Sequence, residues 1–316
     1  MYDLIIIGAS AAGCSAAIYA ARRNLNFAIV TKDIGGEVAL SGVINNWIGQ
    51  IETNGFKLAQ DFINHVKSYN IPIDEGFEVV EIKKERNYCL ITAQNGSGQS
   101  KTYQSKTVII ASGIHPRQLN LAGEKELRGK GVTYCTVCDG PLYKGKITAT
   151  IGAGNSALES AIMMAGIAKK VYLITRYADG PENNGGFPKG ENILVDKVKS
   201  LDNIEIIYNA ESKAVLGSNR VEGLKYSDSK DKLVKEIKID GVMIHIGMVP
   251  NSDFADVEKN KINEIKIDNK CRTSQAGIFA AGDVTDVPYK QIAIAAGQGV
   301  ISALSAIEYI NKWKEK

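Results

Sequence analysis

Cysteine and histidine are scarce in this sequence, which has five cysteines and three histidines among 316 residues. A secreted protein built on a disulfide framework needs many cysteines, and a structural zinc site needs four closely grouped cysteine or histidine ligands. The sequence has one closely spaced cysteine pair and no second pair to complete such a site. The odd number of cysteines fits a reducing compartment, so we expect a cytoplasmic protein with no metal.

An excess of charge of one sign is also missing. The 38 basic and 35 acidic residues give a net charge of +3, and the basic residues are dispersed along the chain. No stretch of about 18 uninterrupted apolar residues occurs, and the apolar run Leu4–Ile7 is too short for a signal peptide. We therefore expect neither nucleic acid nor a membrane as a partner.

The chain has 44% hydrophobic residues and a length that suggests two domains.

Near the start of the chain, the apolar strand Leu4–Ile7 leads into Gly8–Gly13 and an alanine-rich helix that ends near Arg23. In the dinucleotide-binding signature G-x-G-x-x-G the second glycine lets the backbone approach a pyrophosphate, and Ser10 occupies that position here. A serine side chain is small and can donate a hydrogen bond, so we expect the phosphate site to persist with altered packing.

This first motif lacks the usual acidic partner for a ribose. The strand Phe27–Val30 is followed by Thr31 and Lys32, where an aspartate or glutamate is common. Asp33 and Glu37 lie just beyond, and we expect one of them to take that role.

A second strand, turn and helix matches the signature fully. The strand Ile147–Ile151 precedes Gly152–Ala157, which reads G-x-G-x-x-A, and the helix continues to about Gly166. The next strand ends in Thr175 and Arg176, where an acidic residue favours a free ribose 2′-hydroxyl and an arginine favours a 2′-phosphate. The motif therefore predicts a pyridine-nucleotide site that favours NADPH, with a solvated surface arginine as the competing interpretation.

The sequence Cys135-Thr136-Val137-Cys138-Asp139 lies between the two glycine loops. Two thiols in this spacing can close a small disulfide ring, and a helix N-terminus lowers the pKa of one thiol. Asp139 can move the proton that thiol–disulfide exchange requires, provided that partial burial raises its pKa. Half of a zinc site and inert core cysteines are the competing interpretations. Redox chemistry is favoured because the other thiols and histidines are isolated along the chain: Cys14, Cys89, Cys271, His65, His115 and His245.

An apolar strand followed by a glycine and, three residues later, a proline occurs at Gly113–Pro116 and again at Gly247–Pro250. We interpret these as the two strands that cross between domains. Further along, a strand delivers Asp283 at its C-terminal end, where open α/β sheets bind ligands. A long helix predicted over about Lys290–Lys312 would direct its positive end at the first nucleotide site.

Together these motifs resemble the low-molecular-weight thioredoxin reductases and the related flavoprotein subunit of alkyl hydroperoxide reductase. The resemblance covers nearly the whole chain, and its most specific part is Gly131–Pro141 around the two cysteines. The segment Gly277–Gln291 is especially similar to the peroxide-reductase relative. That relative has an additional N-terminal thioredoxin-like domain, which we do not expect in this protein. The resemblance also includes Gly35-Gly36, Asn46-Trp47, Ala111–Gly113 and Gly282-Asp283.

The resemblance implies an α/β fold with two Rossmann-like, three-layer dinucleotide-binding domains, the second inserted into the first. FAD would bind a discontinuous domain of residues 1–115 and 248–316, and NADPH or NADH a domain of residues 116–247 that carries the two cysteines. The implied enzyme is a homodimeric thioredoxin-disulfide reductase. It would pass electrons from NADPH, or alternatively NADH, through FAD and a Cys135–Cys138 disulfide to a thioredoxin or a glutaredoxin-like protein.

Carried over by position, Cys138 is the thiol nearest the flavin, Cys135 attacks the partner disulfide and Asp139 is the acid–base. Asp283 would hold hydroxyl groups of FAD. The full set of FAD residues implied is Gly8, Ser10, Ala11, Gly13, Thr31, Lys32, Gly36, Glu37, Asn46, Ala111, Gly113, Gly282, Asp283, Gln291 and Ile292. The set implied for NAD(P)H is Gly152, Gly154, Asn155, Ser156, Glu159, Arg176 and Gly247.

The sequence departs from the NADPH-specific members that it resembles, because their His-Arg-Arg run is reduced here to Thr175-Arg176-Tyr177. NADPH and NADH therefore both stay open as donors. Reductases fed by ferredoxin or a deazaflavin usually lack the second glycine loop, and its presence here argues against that route. Two other classes compete: a ferredoxin–NADP reductase or NAD(P)H oxidase with spectator thiols, and a non-enzymatic nucleotide-binding protein with zinc at the cysteines.

Overall fold

A computed structural model describes residues 1–229 and 232–314. Residues 230–231 of the predicted inserted domain and 315–316 of the predicted first domain lie outside the described residues. Up to residue 116 the elements are β1 (Tyr2–Ala9), α1 (Ala11–Ala21), β2 (Phe27–Ile34), α2 (Gly36–Ala39), β3 (Val43–Ile44), β4 (Thr53–Asn54), α3 (Gly55–Lys67), β5 (Ile73–Glu75), β6 (Phe77–Lys84), β7 (Cys89–Asn95), β8 (Ser100–Ile110) and β9 (Ile114–Pro116).

The elements that follow include three short 3₁₀ turns. In chain order they are β10 (Val132–Thr133), α4 (Thr136–Asp139), a 3₁₀ turn (Gly140–Tyr143), β11 (Ile147–Ile151), α5 (Asn155–Ala165), β12 (Lys170–Ile174), a 3₁₀ turn (Pro181–Asn183), α6 (Asn192–Lys199), β13 (Ile204–Ile207), β14 (Ala210–Leu216), β15 (Gly223–Asp228), β16 (Val234–Lys238), β17 (Gly241–Ile244), β18 (Met248–Pro250), β19 (Ile278–Ala280), a 3₁₀ turn (Gly282–Val284) and α7 (Ile292–Lys312).

The chain divides into two compact units. The first unit comprises residues 1–41, 47–115 and 249–316, and the second comprises residues 42–46 and 116–248. Strands β9 and β18 pair with each other where the chain crosses between the units. Residues 42–46 belong to the second unit. Gly42 lies close to Gly129 of that unit: if a Cβ atom were added to Gly42, it would lie only 3.1 Å from the Gly129 backbone oxygen. Asn46, expected among the FAD residues of the first domain, therefore lies in the second unit.

The first unit is built on five parallel strands in the order β5-β2-β1-β8-β19. Side chains alternate along β1, as the two-residue period of a strand requires. Leu4 and Ile6 pack with residues of α1, α3 and α7, whereas Ile5 and Ile7 pack with residues of β6 and β7 on the opposite face. The sheet is therefore covered on both sides, which explains why Leu4–Ile7 of β1 is an uninterrupted apolar run.

The second unit repeats this plan. Its five parallel strands have the order β10-β17-β11-β12-β13. Leu158 of α5 and Val195 of α6 cover one face, and the antiparallel strands β14, β15 and β16 contribute Val215 and Leu224 to the other. Both units thus have helices, a parallel sheet and antiparallel strands in three layers. This confirms the predicted α/β class with two Rossmann-like domains.

Among the described residues, α7 is long and apolar enough by composition to span a membrane. Its buried residues include Ala295, Gly299 and Ala303, and it packs in the core of the first unit with α1. A Cβ at Gly299 would lie 2.1 Å from the backbone oxygen of Ala12, so the two helices meet with no room for a side chain. This core position explains the small residues on the buried face of α7.

Replacing Gly299 with alanine is expected to lower the melting temperature by several degrees, because the added methyl group would push α7 away from the α1 backbone. Overpacking of this kind costs roughly 1–3 kcal/mol. Gly297→Ala is the matched control on the same helix, since a Cβ there would meet no atom within 4 Å. That variant should instead gain about 1 kcal/mol of helix propensity. Thermal unfolding followed by circular dichroism measures both, and equal shifts would contradict the packing.

Candidate active site

The two cysteines of the CxxC sequence form a disulfide at the start of α4, in the second unit. Cys135 precedes the helix, and its Sγ accepts a hydrogen bond from the Cys138 backbone N–H at 3.2 Å. Both cysteines are partly exposed, and Val137 between them is 59% exposed. Because the sulfurs are bonded to each other, the pair forms a disulfide here and not half of a zinc site. The expected disulfide is confirmed, in a position that another protein can reach.

Asp139 shares a hydrogen-bond network with the cysteines. Thr133 Oγ1 donates to the Asp139 carboxylate and accepts from the Cys135 backbone N–H at 3.1 Å. Burial raises the pKa of Asp139 above its ordinary value of 3.8, and the Thr133 hydrogen bond acts in the opposite direction. A raised pKa keeps the carboxyl protonated to higher pH, which is the property that an acid beside a disulfide needs.

A buried chain of polar groups holds Thr136, the first residue of α4. Thr136 Oγ1 lies 2.6 Å from Ser160 Oγ on α5 and 2.8 Å from Nε2 of His245, which follows β17. Ser160 Oγ in turn lies 3.5 Å from Thr150 Oγ1 on β11. Burial lowers the pKa of His245 to about 4, so the imidazole is neutral at physiological pH. These side-chain hydrogen bonds connect the start of α4 to the elements that flank the second glycine loop.

The remaining thiols, Cys14, Cys89 and Cys271, are buried. Burial raises the pKa of Cys14 to about 12, and burial together with the nearby Asp268 does the same for Cys271. Burial also raises the pKa of Cys89, against the opposing effect of Lys84. Because the thiolate is the nucleophile in disulfide exchange, these three thiols are inert in the folded protein. The disulfide is therefore the reactive sulfur centre of the described chain.

The second glycine loop joins β11 to α5. Gly152 has φ +155°, and a Cβ there would lie 2.2 Å from the backbone oxygen of His245. Asn155, the first residue of α5, donates from Nδ2 to Glu191 Oε1 at 2.9 Å and accepts from the Glu191 backbone N–H at 2.8 Å. A Cβ at Gly154 would contact only Lys189, at 3.6 Å or more. The loop and the helix start thus have the form that binds a pyrophosphate in this fold.

The other residues implied for NAD(P)H, Ser156, Glu159, Arg176 and Gly247, are exposed in the second unit. Arg176 follows β12, the parallel neighbour of β11, so it lies at the same edge of the sheet as the glycine loop. Its Nη2 donates to Tyr177 Oη at 3.1 Å, and the guanidinium carbon lies 5.1 Å from the centroid of that ring. The tyrosine therefore holds the arginine where a nucleotide ribose binds in such sheets.

In the first unit, two glycines allow close approach of backbone to backbone. A Cβ at Gly8 would lie 2.3 Å from the Ala111 oxygen, and one at Gly13 would lie 1.9 Å from the Gly8 oxygen. Ser10 stands at the position of the missing glycine, and its Oγ donates to the backbone oxygen of Gly35 at 2.8 Å. The serine hydroxyl therefore joins the first loop to the segment that follows β2, rather than being left free for a phosphate.

Two acidic side chains face the same part of the first unit. Glu37 Oε1 lies 2.8 Å from His115 Nδ1. Burial raises the pKa of Asp283, Lys290 lowers it, and the negative charge of Glu37 raises it further. Within the part of the chain that the structure describes, no residue donates a hydrogen bond to the Asp283 carboxylate. A partly buried carboxylate without a protein donor fits the hydroxyl groups of a ribose or ribityl chain.

Open space adjoins these residues. A Cβ at Gly113 would meet no atom within 4 Å, and one at Gly36 would meet only Ser10, at 3.7 Å. Gly282, which precedes Asp283, has φ +77° and packs against Ala12, where a Cβ would lie 3.0 Å from the alanine methyl group. The close-approach glycines, the open space and the Asp283 carboxylate together fit FAD in the first unit.

The two residues that replace the acidic ribose partner make other contacts. Thr31 Oγ1 donates to the Asp33 backbone oxygen at 2.5 Å, and Lys32 Nζ pairs with Glu78 Oε2 at 2.8 Å. The hydrogen bond to Glu78 raises the pKa of Lys32. The side chains of Thr31 and Lys32 are thus bound within the protein, and Glu37 is the carboxylate that lies near Asp283.

Three further residues implied for FAD lie at helix starts. Ala11 is the first residue of α1, Ile292 is the first residue of α7, and Gln291 immediately precedes α7. The last helix begins two residues later than expected. Lys290, which was expected to open it, donates from Nζ to two backbone oxygens of the preceding loop and pairs with Glu264 at 2.8 Å.

Residues 2–299 match the sequence profile of the family described as pyridine nucleotide-disulphide oxidoreductase. The chain belongs to this family. An alkyl hydroperoxide reductase subunit from Escherichia coli (strain K12) is 39% identical over 99% of this chain and 59% of that protein. NADH dehydrogenase of Ferdinandcohnia aciditolerans is 38% identical over 98% of this chain and 57% of that protein. Among solved structures, the thioredoxin reductase of Streptococcus pyogenes MGAS5005 is 31% identical, with 99% of both chains covered and a TM-score of 0.90.

The chain spans a little over half the length of these two sequence relatives but almost all of the Streptococcus pyogenes structure. These similarities confirm the resemblance to the low-molecular-weight thioredoxin reductases and to the peroxide-reductase flavoprotein. Members of the family use FAD and a nicotinamide cofactor, and the residues described above fit both. The internal disulfide is in keeping with membership of this family of disulphide oxidoreductases.

Four residues that shape the site received no role from the sequence: Thr133, Thr136, Ser160 and His245. The two threonines lie within the cysteine motif, so hydroxyl groups flanking Cys135 were a visible signal. Ser160 and His245 lie 24 and 109 residues from Thr136 along the chain. A local pattern cannot pair residues at such distances, and only the order of the strands brings them together.

Replacing Asp139 with asparagine is expected to stabilise the protein at neutral pH. Because the native pKa is raised, the native state binds the proton more tightly than the unfolded chain. The stability gained from that proton is present below pH 3.8 and is lost as the pH rises through the native pKa. Asparagine stays neutral and keeps an acceptor for Thr133. The melting temperature of the variant should therefore exceed that of the wild type by an amount that grows as the pH rises from 3.8 through the native pKa.

Asp74→Asn is a control that is expected to change the melting temperature in the opposite direction. Burial raises the pKa of Asp74, but hydrogen bonds from Lys101 and Tyr103 outweigh burial and hold the pKa below 3.8. The stability from this carboxylate is present above pH 3.8 and is lost as the pH falls through the native pKa. Asp74→Asn should therefore lower the melting temperature at neutral pH. An Asp139 variant that loses stability in the same way would show that its pKa is not raised.

Proposed function

We propose that the protein takes electrons from a nicotinamide nucleotide, through FAD, into the Cys135–Cys138 disulfide and passes them to the disulfide of a small thioredoxin-like protein. The observation that carries the proposal is the partly exposed disulfide with a carboxyl of raised pKa one residue after it. Both lie in the same unit as a complete glycine loop. When bound, FAD supplies the step from a two-electron hydride donor to a disulfide, which side chains alone cannot perform.

We assign FAD to the first unit and the nicotinamide nucleotide to the second. In the first unit, the start of α1 would bind the pyrophosphate, and Asp283 would accept hydrogen bonds from hydroxyl groups of FAD. The backbone at Gln291 and Ile292 would face the flavin ring. In the second unit, Gly152–Ser156 would bind the pyrophosphate of the nucleotide.

The cysteines and Asp139 carry the exchange chemistry. Two electrons and two protons convert the disulfide to two thiols. The Cys138 N–H, which already donates to Cys135 Sγ, stabilises a thiolate on Cys135. We assign proton storage to Asp139, which is held by Thr133 beside the backbone of Cys135.

The thiolate of Cys135 then attacks one sulfur of the partner disulfide. This forms a mixed disulfide and releases the other partner sulfur, which takes a proton from Asp139. Cys138 gives its proton to Asp139 and attacks Cys135 Sγ, which restores the internal disulfide and releases the second partner sulfur, and this sulfur takes the proton from Asp139. The partner gains the two electrons and two protons that the internal dithiol loses.

The partner that we propose is a thioredoxin or a glutaredoxin-like protein, because the Streptococcus pyogenes relative that this chain matches is a thioredoxin reductase. A peroxiredoxin-type protein is the second candidate, because the Escherichia coli relative is named as an alkyl hydroperoxide reductase subunit. We also propose a cytoplasmic homodimer, on the resemblance to the family. Light scattering after size-exclusion chromatography measures the oligomeric state directly.

Anaerobic titration of the FAD-loaded protein tests the electron path. NADPH or NADH should bleach the flavin spectrum of the wild type, and oxidised thioredoxin should then restore it. Cys138→Ser should still be bleached, but thioredoxin reduction should fall by at least about 10³-fold because a single thiol cannot regenerate the disulfide. Asp139→Asn should slow thioredoxin reduction by roughly 10²- to 10⁴-fold.

Cys89→Ala is the control, since it removes a buried thiol of the first unit and should leave both steps unchanged. A flavin that neither nucleotide bleaches would refute the donor half of the proposal. Full turnover of the Cys138→Ser protein would make the thiols spectators and select the ferredoxin–NADP reductase or oxidase class.

We infer NADPH as the preferred donor, with NADH as the alternative. Arg176 supports NADPH, because a guanidinium at the end of β12 can pair with a 2′-phosphate. The relative named NADH dehydrogenase supports the alternative. The two donors differ only by that phosphate, so the arginine is the residue to change.

Arg176→Gln should reduce kcat/KM for NADPH by roughly 10- to 100-fold, because that factor corresponds to the free energy of one charge-assisted hydrogen bond. The kcat/KM for NADH should stay within about twofold of the wild-type value. Arg220→Gln is the matched control, because it removes an exposed arginine in the turn between β14 and β15. Steady-state rates with thioredoxin as acceptor provide both constants. A wild-type protein that prefers NADH would contradict the assignment.

A further inference from the structure

His245 contacts both the second glycine loop and the helix that carries the disulfide. Its backbone oxygen fills the space that a side chain at Gly152 would need, and its backbone N–H donates to the Ile151 oxygen at 2.8 Å. Its imidazole Nε2 lies 2.8 Å from Thr136 Oγ1. One residue therefore links the loop proposed to bind a nucleotide with the turn between the two cysteines.

Thr136 is held from a second side by the same region. Ser160, 2.6 Å from Thr136 Oγ1, lies on α5, the helix that begins at the glycine loop. Thr136 and Ser160 are both buried. A threonine hydroxyl has one proton, so it donates to one of its two partners and accepts from the other. Loss of either partner leaves the donor or the acceptor side of this buried hydroxyl unsatisfied, which makes the arrangement cooperative.

Reduction of the disulfide must disturb this arrangement. The bond holds the two sulfurs about 2 Å apart, and the thiols that replace it have to separate to contact distance. Thr136 lies in the turn that has to adjust, and its side chain is fixed to the two elements that flank the glycine loop. A ligand that stiffens the loop therefore changes the free energy of that adjustment.

We propose that His245, acting through Thr136, is a positioning residue that couples nucleotide binding at the second glycine loop to the thiol–disulfide equilibrium of Cys135 and Cys138. The inference rests on the proposed function in two respects, namely that the disulfide is redox-active and that the loop binds a nucleotide. It adds a thermodynamic connection between those two sites. By linkage, the factor by which the nucleotide shifts the equilibrium equals the ratio of its affinities for the oxidised and reduced protein.

ADP-ribose and its 2′-phosphate are suitable probes, because they contain the part of the nucleotide that the loop would bind but no nicotinamide to transfer electrons. The FAD-loaded protein is equilibrated anaerobically in dithiothreitol buffers of graded potential, with and without saturating probe. Alkylation and mass spectrometry then count the thiols of Cys135 and Cys138. The thiol-to-disulfide ratio of the wild type should shift by about fivefold or more on binding. The dissociation constants for the oxidised and reduced proteins, measured by calorimetry, should differ by the same factor.

Thr136→Val and His245→Phe should bind the probe and reduce their disulfides, yet the shift should fall below about twofold because the connecting hydrogen bonds are missing. Thr148→Val is the matched control: Thr148 is a buried threonine of β11 whose hydroxyl has no hydrogen-bond partner among the described residues. That variant should keep the full shift.

The outcomes separate this inference from the function on which it rests. A wild type that binds the probe and reduces its disulfide, but with an unchanged thiol-to-disulfide ratio, would overturn the coupling alone. Retention of the full shift in both Thr136→Val and His245→Phe would likewise overturn it. A wild type in which neither probe binds, or whose disulfide stays oxidised throughout the series, would overturn the proposed function as well.

Discussion

The approach of a glycine to a neighbouring backbone oxygen is the constraint on which both proposed nucleotide sites depend. At the end of β1 a Cβ on Gly8 would lie 2.3 Å from the Ala111 oxygen, and at the end of β11 one on Gly152 would lie 2.2 Å from the His245 oxygen. In each case the oxygen belongs to the segment that follows the adjacent parallel strand. Any side chain at these positions would separate the strand ends and remove the turn that lets a helix begin directly behind them.

The two units share one architecture, but different side chains follow the carboxyl ends of their parallel strands. The first unit gathers Glu37 and Asp283 near Lys290, which suits a ligand rich in hydroxyl groups. The second unit has Asn155 tied to Glu191, with Arg176 exposed at the same edge, which suits a ligand that brings its own phosphates. The difference between the two carboxyl edges therefore arises from a few residues after the strands, while the sheets and their covering layers stay alike.

Much of this was predictable from the sequence, because the determining signals are local. The apolar run in β1, the glycine turns after β1 and β11, and the cysteine pair with its acid each depend on neighbours in the chain. The placement of Asn46 in the second unit and the capture of the Ser10 hydroxyl by Gly35 were not predictable. Both depend on contacts between segments far apart in the sequence, as do the bonds from Thr136 to Ser160 and His245.

The burial of Cys14, Cys89 and Cys271 gives the folded protein a simple reactivity toward electrophiles. A maleimide or iodoacetamide finds no accessible thiol while the disulfide is closed, and finds two once it has opened. A fluorescent or isotopic tag can therefore be attached at the reduced pair alone, with none of the usual mutagenesis to remove competing cysteines. The number of tags on each intact molecule then records its oxidation state at the moment of quenching.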